Sequence, residues 1–285
     1  MGMYRLVASD MDETFLGAGH LVPPANVEAL RRMRELGVLF VPSSGRPYRS
    51  IMSSLAGIDS PLLADSYVIS YNGGFINRYG DDTPLLSTVM DRDVLRWLYA
   101  YAVERRICMH VYTESGRILT QFVNDVERGY IANLSDIEEL PDDADAIEAA
   151  GGEEFPKIIF MDPDFSRMKA LGAKLRPVLD PALVDITYSS NRYVEFVPHG
   201  VNKGTGLAHL ADLLGIDIAE TIGVGDSEND RAMIEAAGLG VGVANVSDDM
   251  RPCCDLVLDT CANDGAFPEL VRRVIEPACG DLSAR

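Results

Sequence analysis

Short apolar runs that each stop at a polar or acidic turn recur at both ends of the chain. Residues 5–9 end at Asp10, residues 38–41 at Ser43-Ser44-Gly45-Arg46, and residues 67–70 at Asn72-Gly73-Gly74. Two hundred residues later the pattern returns: residues 221–224 end at Gly225-Asp226, and residues 239–243 and 256–258 follow. Runs this apolar suit strands covered on both faces, as in a parallel sheet, and none is stable alone. The two sets are therefore expected to share one sheet in an α/β core, with amphipathic helices between the strands. Pro23-Pro24 opens one such helix, where Val27, Leu30, Met33 and Leu36 recur at helical spacing before Gly37. Residues 205–214 and 230–237 predict two more, stopped by Gly215 and Gly238. Two apolar pairs around a Gly-rich turn over residues 15–22 predict a small hairpin flap.

The middle of the chain has a different grammar. From residue 81 to residue 190 the order is helix, paired strands, helix, paired strands. Residues 91–105 carry Val94, Leu95, Leu98 and Ala102 on one helical face, and Trp97 there is expected to serve packing. Residues 108–112 and 117–120 predict a hairpin around Glu114-Ser115-Gly116. Residues 157–161 predict a strand and 165–175 a helix. Residues 184–188 and 193–197 predict a second hairpin around Ser190-Asn191. The acidic stretch 136–154 is expected to be a helix with solvated flanks. This is α+β logic, so an α+β domain over 81–190 is expected to interrupt a core made of 1–80 and 191–285.

A length of 285 residues suits such a pair, at roughly 150 residues per domain. Lys and Arg number 25 against 44 Asp and Glu, a net charge of −19. An anionic surface repels phosphate backbones and acidic lipid heads, which argues against nucleic-acid or membrane partners. No run approaches the ~20 apolar residues of a membrane span, and Asp10 and Asp12 precede any signal-peptide-like run. The five cysteines include no C-x-x-C pair. Reduced thiols in the cytoplasm are the expectation. Neither G-x-G-x-x-G nor G-x-x-x-x-G-K-[ST] occurs. The oligomeric state stays open between monomer and dimer.

In an open parallel sheet, ligands bind beyond the carboxyl ends of the strands. Those ends carry Asp10 and Asp12, then Ser44, then Asp226, Asn229 and Asp230, while Lys203 opens a helix after the insert. Several carboxylates on short loops repel one another unless a cation sits among them, and an all-oxygen set favours Mg²⁺. A lysine and a hydroxyl can hold a phosphoryl group. One carboxylate can attack phosphorus while another two residues away moves the proton. The set thus suits phosphoryl transfer, which needs mainly positioning and charge neutralisation.

Residues 6–14, Leu-Val-Ala-Ser-Asp-Met-Asp-Glu-Thr, resemble the first motif of the haloacid dehalogenase superfamily, an apolar strand followed by D-x-D-G-T. Ser43-Ser44-Gly45-Arg46 resembles its second motif, Asn202-Lys203-Gly204 its third, and Gly225-Asp226-Ser227-Glu228-Asn229-Asp230 its fourth. The order is similar to the Cof-type branch, which inserts an α/β cap between motifs two and three, as is Glu195-Phe196-Val197-Pro198 ahead of Lys203. The resemblance implies a Rossmann-like core and a Mg²⁺-dependent phosphatase. Asp10 would be nucleophile and metal ligand, and Asp12 the general acid/base with its backbone carbonyl on the metal. Asp226 would be the other metal ligand. Ser44, Lys203 and Asn229 would hold phosphate, and Asp230 would steady Lys203 or the metal's surroundings. The cap would close over the core and supply the leaving-group pocket, with Tyr188, Arg192 and Tyr193 as candidates. Sugar phosphates are the expected substrates, with phosphorylated cofactors such as pyridoxal phosphate or flavin mononucleotide next. A phosphomutase on the same scaffold is the alternative enzyme. Glu13 stands where the motif has glycine, which motivates a non-catalytic phospho-ligand or protein-binding module as the third reading.

Overall fold

The computed structural model describes residues 4–132 and 136–280. In chain order its strands are β1 (Leu6–Ser9), β2 (Leu39–Pro42), β3 (Tyr67–Ser70), β4 (Phe75–Arg78), β5 (Pro84–Ser87), β6 (Cys108–Tyr112), β7 (Ile118–Gln121), β8 (Ile137–Glu139), β9 (Lys157–Met161), β10 (Val184–Ser189), β11 (Tyr193–Pro198), β12 (Thr221–Gly225), β13 (Leu239–Gly242) and β14 (Leu256–Val257). The chain divides into two compact units. One joins Met1–Ser87 to Asn202–Arg285, and the other is Thr88–Val201.

The first unit carries a five-stranded parallel sheet in the order β14-β13-β12-β1-β2. Strands from both ends of the sequence do share one sheet, and β1, from the start of the chain, pairs with β12. Alternation along β1 sorts the core into two layers. Val7 joins a cluster with Phe15, Phe40, Ile222, Val241 and Phe267, while Leu6 and Ala8 pack with Val41, Leu207 and Leu210 on the other face. The rings of Phe15, Phe40 and Phe267 meet at centroid distances of 4.4, 5.0 and 5.7 Å. Each such buried ring stabilises the unit by about 1.5–3 kcal/mol.

Two expectations for this unit need correction. β3 touches the end of β2 only through a parallel bridge from Ser43 to Ile69 and otherwise pairs antiparallel with β4, in a separate sheet β3-β4-β5. The turn Tyr71-Asn72-Gly73 reverses the chain through three consecutive positive φ angles. The flap expected at 15–22 is not a hairpin. Phe15 and Leu16 are fully buried core residues, and the chain turns through Met11–Phe15 and Ala18–His20, closed by Gly17 N–H on Leu21 O at 2.8 Å. Burial of the first apolar pair outweighs the pairing of two short strands.

The second unit holds a six-stranded sheet in the order β10-β11-β9-β6-β7-β8, antiparallel except between β7 and β8. The helices Arg92–Arg105 and Phe165–Leu175 carry the expected faces: Leu95, Leu98 and Ala102 pack with Met168, Val111, Phe160 and Phe196. Trp97 lies off that face, 40% exposed and stacked on Tyr101. The unit's limits fall at 88 and 201 instead of 81 and 190, because β5 is bonded to β4 while β11 is bonded to β10 and β9. The acidic stretch 136–154 is not one helix. Ile137–Glu139 adds an edge strand held by Arg117 on Glu138 and Arg128 on Glu139, each at 2.8 Å, and only Ala146–Ala149 is helical. Pro141 lacks the N–H a continuous helix would need there.

Candidate active site

β1 ends where Asp10 N–H donates to Val224 O at 2.9 Å, so the Asp10 side chain emerges beside the end of β12. Asp226 leaves β12 at the adjacent position, and a short turn returns Asp230 to the same place. The third contribution is the helix Lys203–Leu214, whose N-cap Asn202 accepts from Thr205 N–H at 2.9 Å and so fixes its first residue, Lys203. The helix start can sit this deep because Gly73 packs directly on Asn202 O and Gly206 N, where a Cβ would overlap the backbone.

The Lys203 ammonium is fully buried and donates to Asp10 Oδ1 and, at 2.6 Å, to Asp230 Oδ1. Asp230 Oδ2 accepts from the N–H groups of Asp226 and Ser227 at 2.9 and 3.1 Å. Both oxygens of Asp230 are thus engaged, and it acts as the post that holds Lys203. Asp226 Oδ1 accepts from the Thr14 hydroxyl at 2.6 Å. Gly225 makes room for the arrangement, since a Cβ there would run into the Asp230 side chain.

Asp10, Asp226 and Asp230 each offer an oxygen within 4.8 Å of the others, and all three are buried. Three carboxylates face one ammonium, so with all three ionised the cluster would carry two negative charges in excess, away from water. Burial lifts the Asp10 carboxyl well above the usual range, against the pull of Lys203 and with a push from Asp230. Burial likewise lifts Asp226 to about 6, with Thr14 opposing. The Lys203 pKa is raised as well: burial disfavours its charge, but the neighbouring Asp10 and Asp230 outweigh that. A hard divalent cation fits this oxygen-only, over-charged cluster by chemistry and by charge. Asp10 and Asp226 would hold it, while Asp230 is the more heavily committed of the three, to Lys203 and to two backbone N–H groups.

Of the other expected residues, Ser44 is buried at the end of β2, its hydroxyl accepting from Arg46 N–H at 3.3 Å and its N–H donating to Ile69 O at 2.9 Å. Asp12 is half-exposed, on the turn after Asp10. Asn229 is exposed and its carbonyl accepts from Ser227 Oγ at 2.8 Å, so it belongs to the rim and not to the buried cluster. Glu13 is exposed with φ at +57°, and its backbone carbonyl accepts from Asn245 Nδ2 at 2.7 Å. In the second unit, Tyr193 is buried and donates to Glu127 at 2.6 Å, which ties it to that unit's own interior. Tyr188 packs edge-on against Phe165, and the Arg192 guanidinium lies 3.8 Å over the Tyr130 ring. Sequence reasoning passed over Thr14, the hydroxyl that orients Asp226. Its place four residues after Asp10, on a turn that must face the cluster, was the available signal.

A sequence model of haloacid dehalogenase-like hydrolases matches residues 7–270. Phosphatase YwpJ of Bacillus subtilis is 30% identical, over 91% of this chain and 95% of its own. The HMP-PP phosphatase of Serratia proteamaculans is also 30% identical, over 85% of each chain. Among solved structures, TM0651 from Thermotoga maritima superposes with a TM-score of 0.80 at 21% identity, over 95% of this chain and 98% of that one. Hydrolases of this kind generally use a divalent metal, in keeping with the carboxylate cluster. The chain belongs to the haloacid dehalogenase-like hydrolases, in their Cof-type branch.

Proposed function

We propose that the protein is a Mg²⁺-dependent phosphatase of small phosphorylated metabolites that works through an aspartyl-phosphate on Asp10. The observation that carries this reading is the buried cluster of Asp10, Lys203, Asp230 and Asp226 at the strand ends. Bound Mg²⁺ would supply charge neutralisation between substrate and carboxylates. Lys203 and Ser44 hold the phosphoryl oxygens. Asp10 Oδ2, which accepts no hydrogen bond within the described residues, attacks phosphorus. As that P–O bond forms and the ester P–O bond breaks, Asp12 gives its proton to the leaving oxygen. Asp12 then takes a proton from water as the water displaces Asp10, which regenerates both carboxyl groups and releases phosphate. Asn229 contributes from the rim.

Sugar phosphates and phosphorylated cofactors are the proposed substrates. The relatives support that range, since one acts on HMP-PP and another, 26% identical from Bacillus subtilis, is a 5-amino-6-(5-phospho-D-ribitylamino)uracil phosphatase. Tyr188 and Arg192, which keep some exposure on the β10–β11 hairpin, are the candidates there for leaving-group contacts. Against the non-catalytic reading, Glu13 is exposed, away from the buried cluster, at a φ of +57° that glycine would also tolerate. A panel of phosphorylated metabolites assayed for phosphate release, with Asp10→Asn as control, tests the proposal. Metal-dependent release is expected from the parent and none above background from Asp10→Asn. Full turnover by Asp10→Asn would end the mechanism.

A further inference from the structure

Asp12 stands outside the Lys203 cluster and has partners of its own. Its Oδ1 accepts from the Arg46 guanidinium and from His20 Nδ1, the latter at 2.7 Å. The two donors come from separate segments. His20 ends the turn Ala18–His20 with φ at +57°, and Arg46 follows β2, anchored by its Nη1 on Ser54 Oγ at 3.1 Å. Arg46 Nη2 and His20 Nδ1 also lie 3.2 Å apart, within hydrogen-bond reach of each other in the tautomer that leaves Nδ1 as acceptor. Asp12 Oδ2 accepts no hydrogen bond from the described residues.

We propose that Arg46 and His20 are positioning residues that pin Asp12 Oδ1 and so leave Oδ2 as the single oxygen that exchanges a proton with the leaving group and with water. The proposal rests on the reading of Asp12 as the general acid/base. The physical need is clear. Asp12 sits on a partly exposed turn, and an unpinned carboxylate there samples several rotamers, most of them unproductive. Lys203 cannot steady it, being shared by Asp10 and Asp230. A pair of donors on one oxygen fixes the carboxylate plane as well as its position.

The test separates proton transfer from everything else by the leaving group. Proton donation by a positioned side chain is worth about 10²–10⁴-fold, and it matters for an alkyl phosphate, whose alkoxide leaves poorly, far more than for para-nitrophenyl phosphate. Arg46→Gln is expected to lower kcat on an alkyl phosphate by about 10–30-fold and on para-nitrophenyl phosphate by under about 3-fold, a part of that contribution. KM should stay within about two-fold on both, and Arg46→Lys should recover part of the loss. His20→Gln, a change at an exposed side chain that leaves the core untouched, should shift the same ratio by about 3-fold in the same direction. In an Asp12→Asn background neither substitution should cost anything further. Equal losses on both esters, a rise in KM instead of a fall in kcat, or an undiminished Arg46→Gln loss in Asp12→Asn would overturn the proposal. If Asp12→Asn itself spares the alkyl ester, the acid–base reading fails first. If Asp12→Asn strikes the alkyl ester and the two positioning variants do not, only this inference fails.

Discussion

Replacing Lys203 by methionine keeps most of the side-chain volume and removes the one ammonium among the buried carboxylates. Asp10 and Asp230, 6% and 0% exposed, would be left as buried charges without a cation. Removing one partner of a buried ion pair costs about 3–5 kcal/mol. For a unit of this size each kcal/mol moves Tm by about 2–4 °C, so Lys203→Met should melt about 6–20 °C below the parent at pH 7.5 in chelator. The sign of the pH effect is fixed as well. Asp10 is already raised by burial, and losing Lys203 removes the main force that lowers it. A carboxyl raised in the folded state binds more protons folded than unfolded, so stability grows as pH falls through its folded pKa. The gap between variant and parent should therefore narrow at pH 5. Thermal melts followed by circular dichroism at the two pH values read both effects. A shift under about 2 °C at pH 7.5, or an equal shift at both, would refute the view that an uncompensated charge is what Lys203 prevents.

Metal affinity should follow Asp226, whose carboxyl is lifted by burial to about 6. A cation binds the ionised form, so calorimetric titration with Mg²⁺ should show affinity falling as pH drops through about 6. The metal-free protein should gain stability over the same interval, since the folded state takes up the proton first. Glu13→Gly relieves a left-handed residue at about 1 kcal/mol but adds a similar unfolded-state entropy, so Tm should move by under about 3 °C. Its turnover should equal or exceed the parent's, and a collapse would give the glutamate a positive role. Gly225→Ala forces a methyl against Asp230 and should cost about 1–3 kcal/mol and displace the post of Lys203. Parent-like melting and phosphate release would show the turn to be slack.

The sequence by itself determined the core strands from both ends of the chain, their grouping into one sheet and the acids that follow them, but not the short strands Phe75–Arg78, Pro84–Ser87 and Ile137–Glu139. Apolar runs and helical periodicity report burial directly, so residues 67–70, 157–161 and 165–175 were placed within their observed limits. It could not determine which neighbour a strand chooses. Tyr67–Ser70 reads the same whether it extends the parallel sheet or pairs backwards with Phe75–Arg78, and the positive φ angles of the following turn decided that. Nor could it divide labour among identical carboxylates. Asp10, Asp226 and Asp230 differ in role because one shares Lys203 at the strand end, one takes the Thr14 hydroxyl, and one spends both oxygens holding the lysine and two backbone N–H groups. Those assignments depend on hydrogen bonds between residues as many as 212 positions apart, which exist only once the chain has closed on itself.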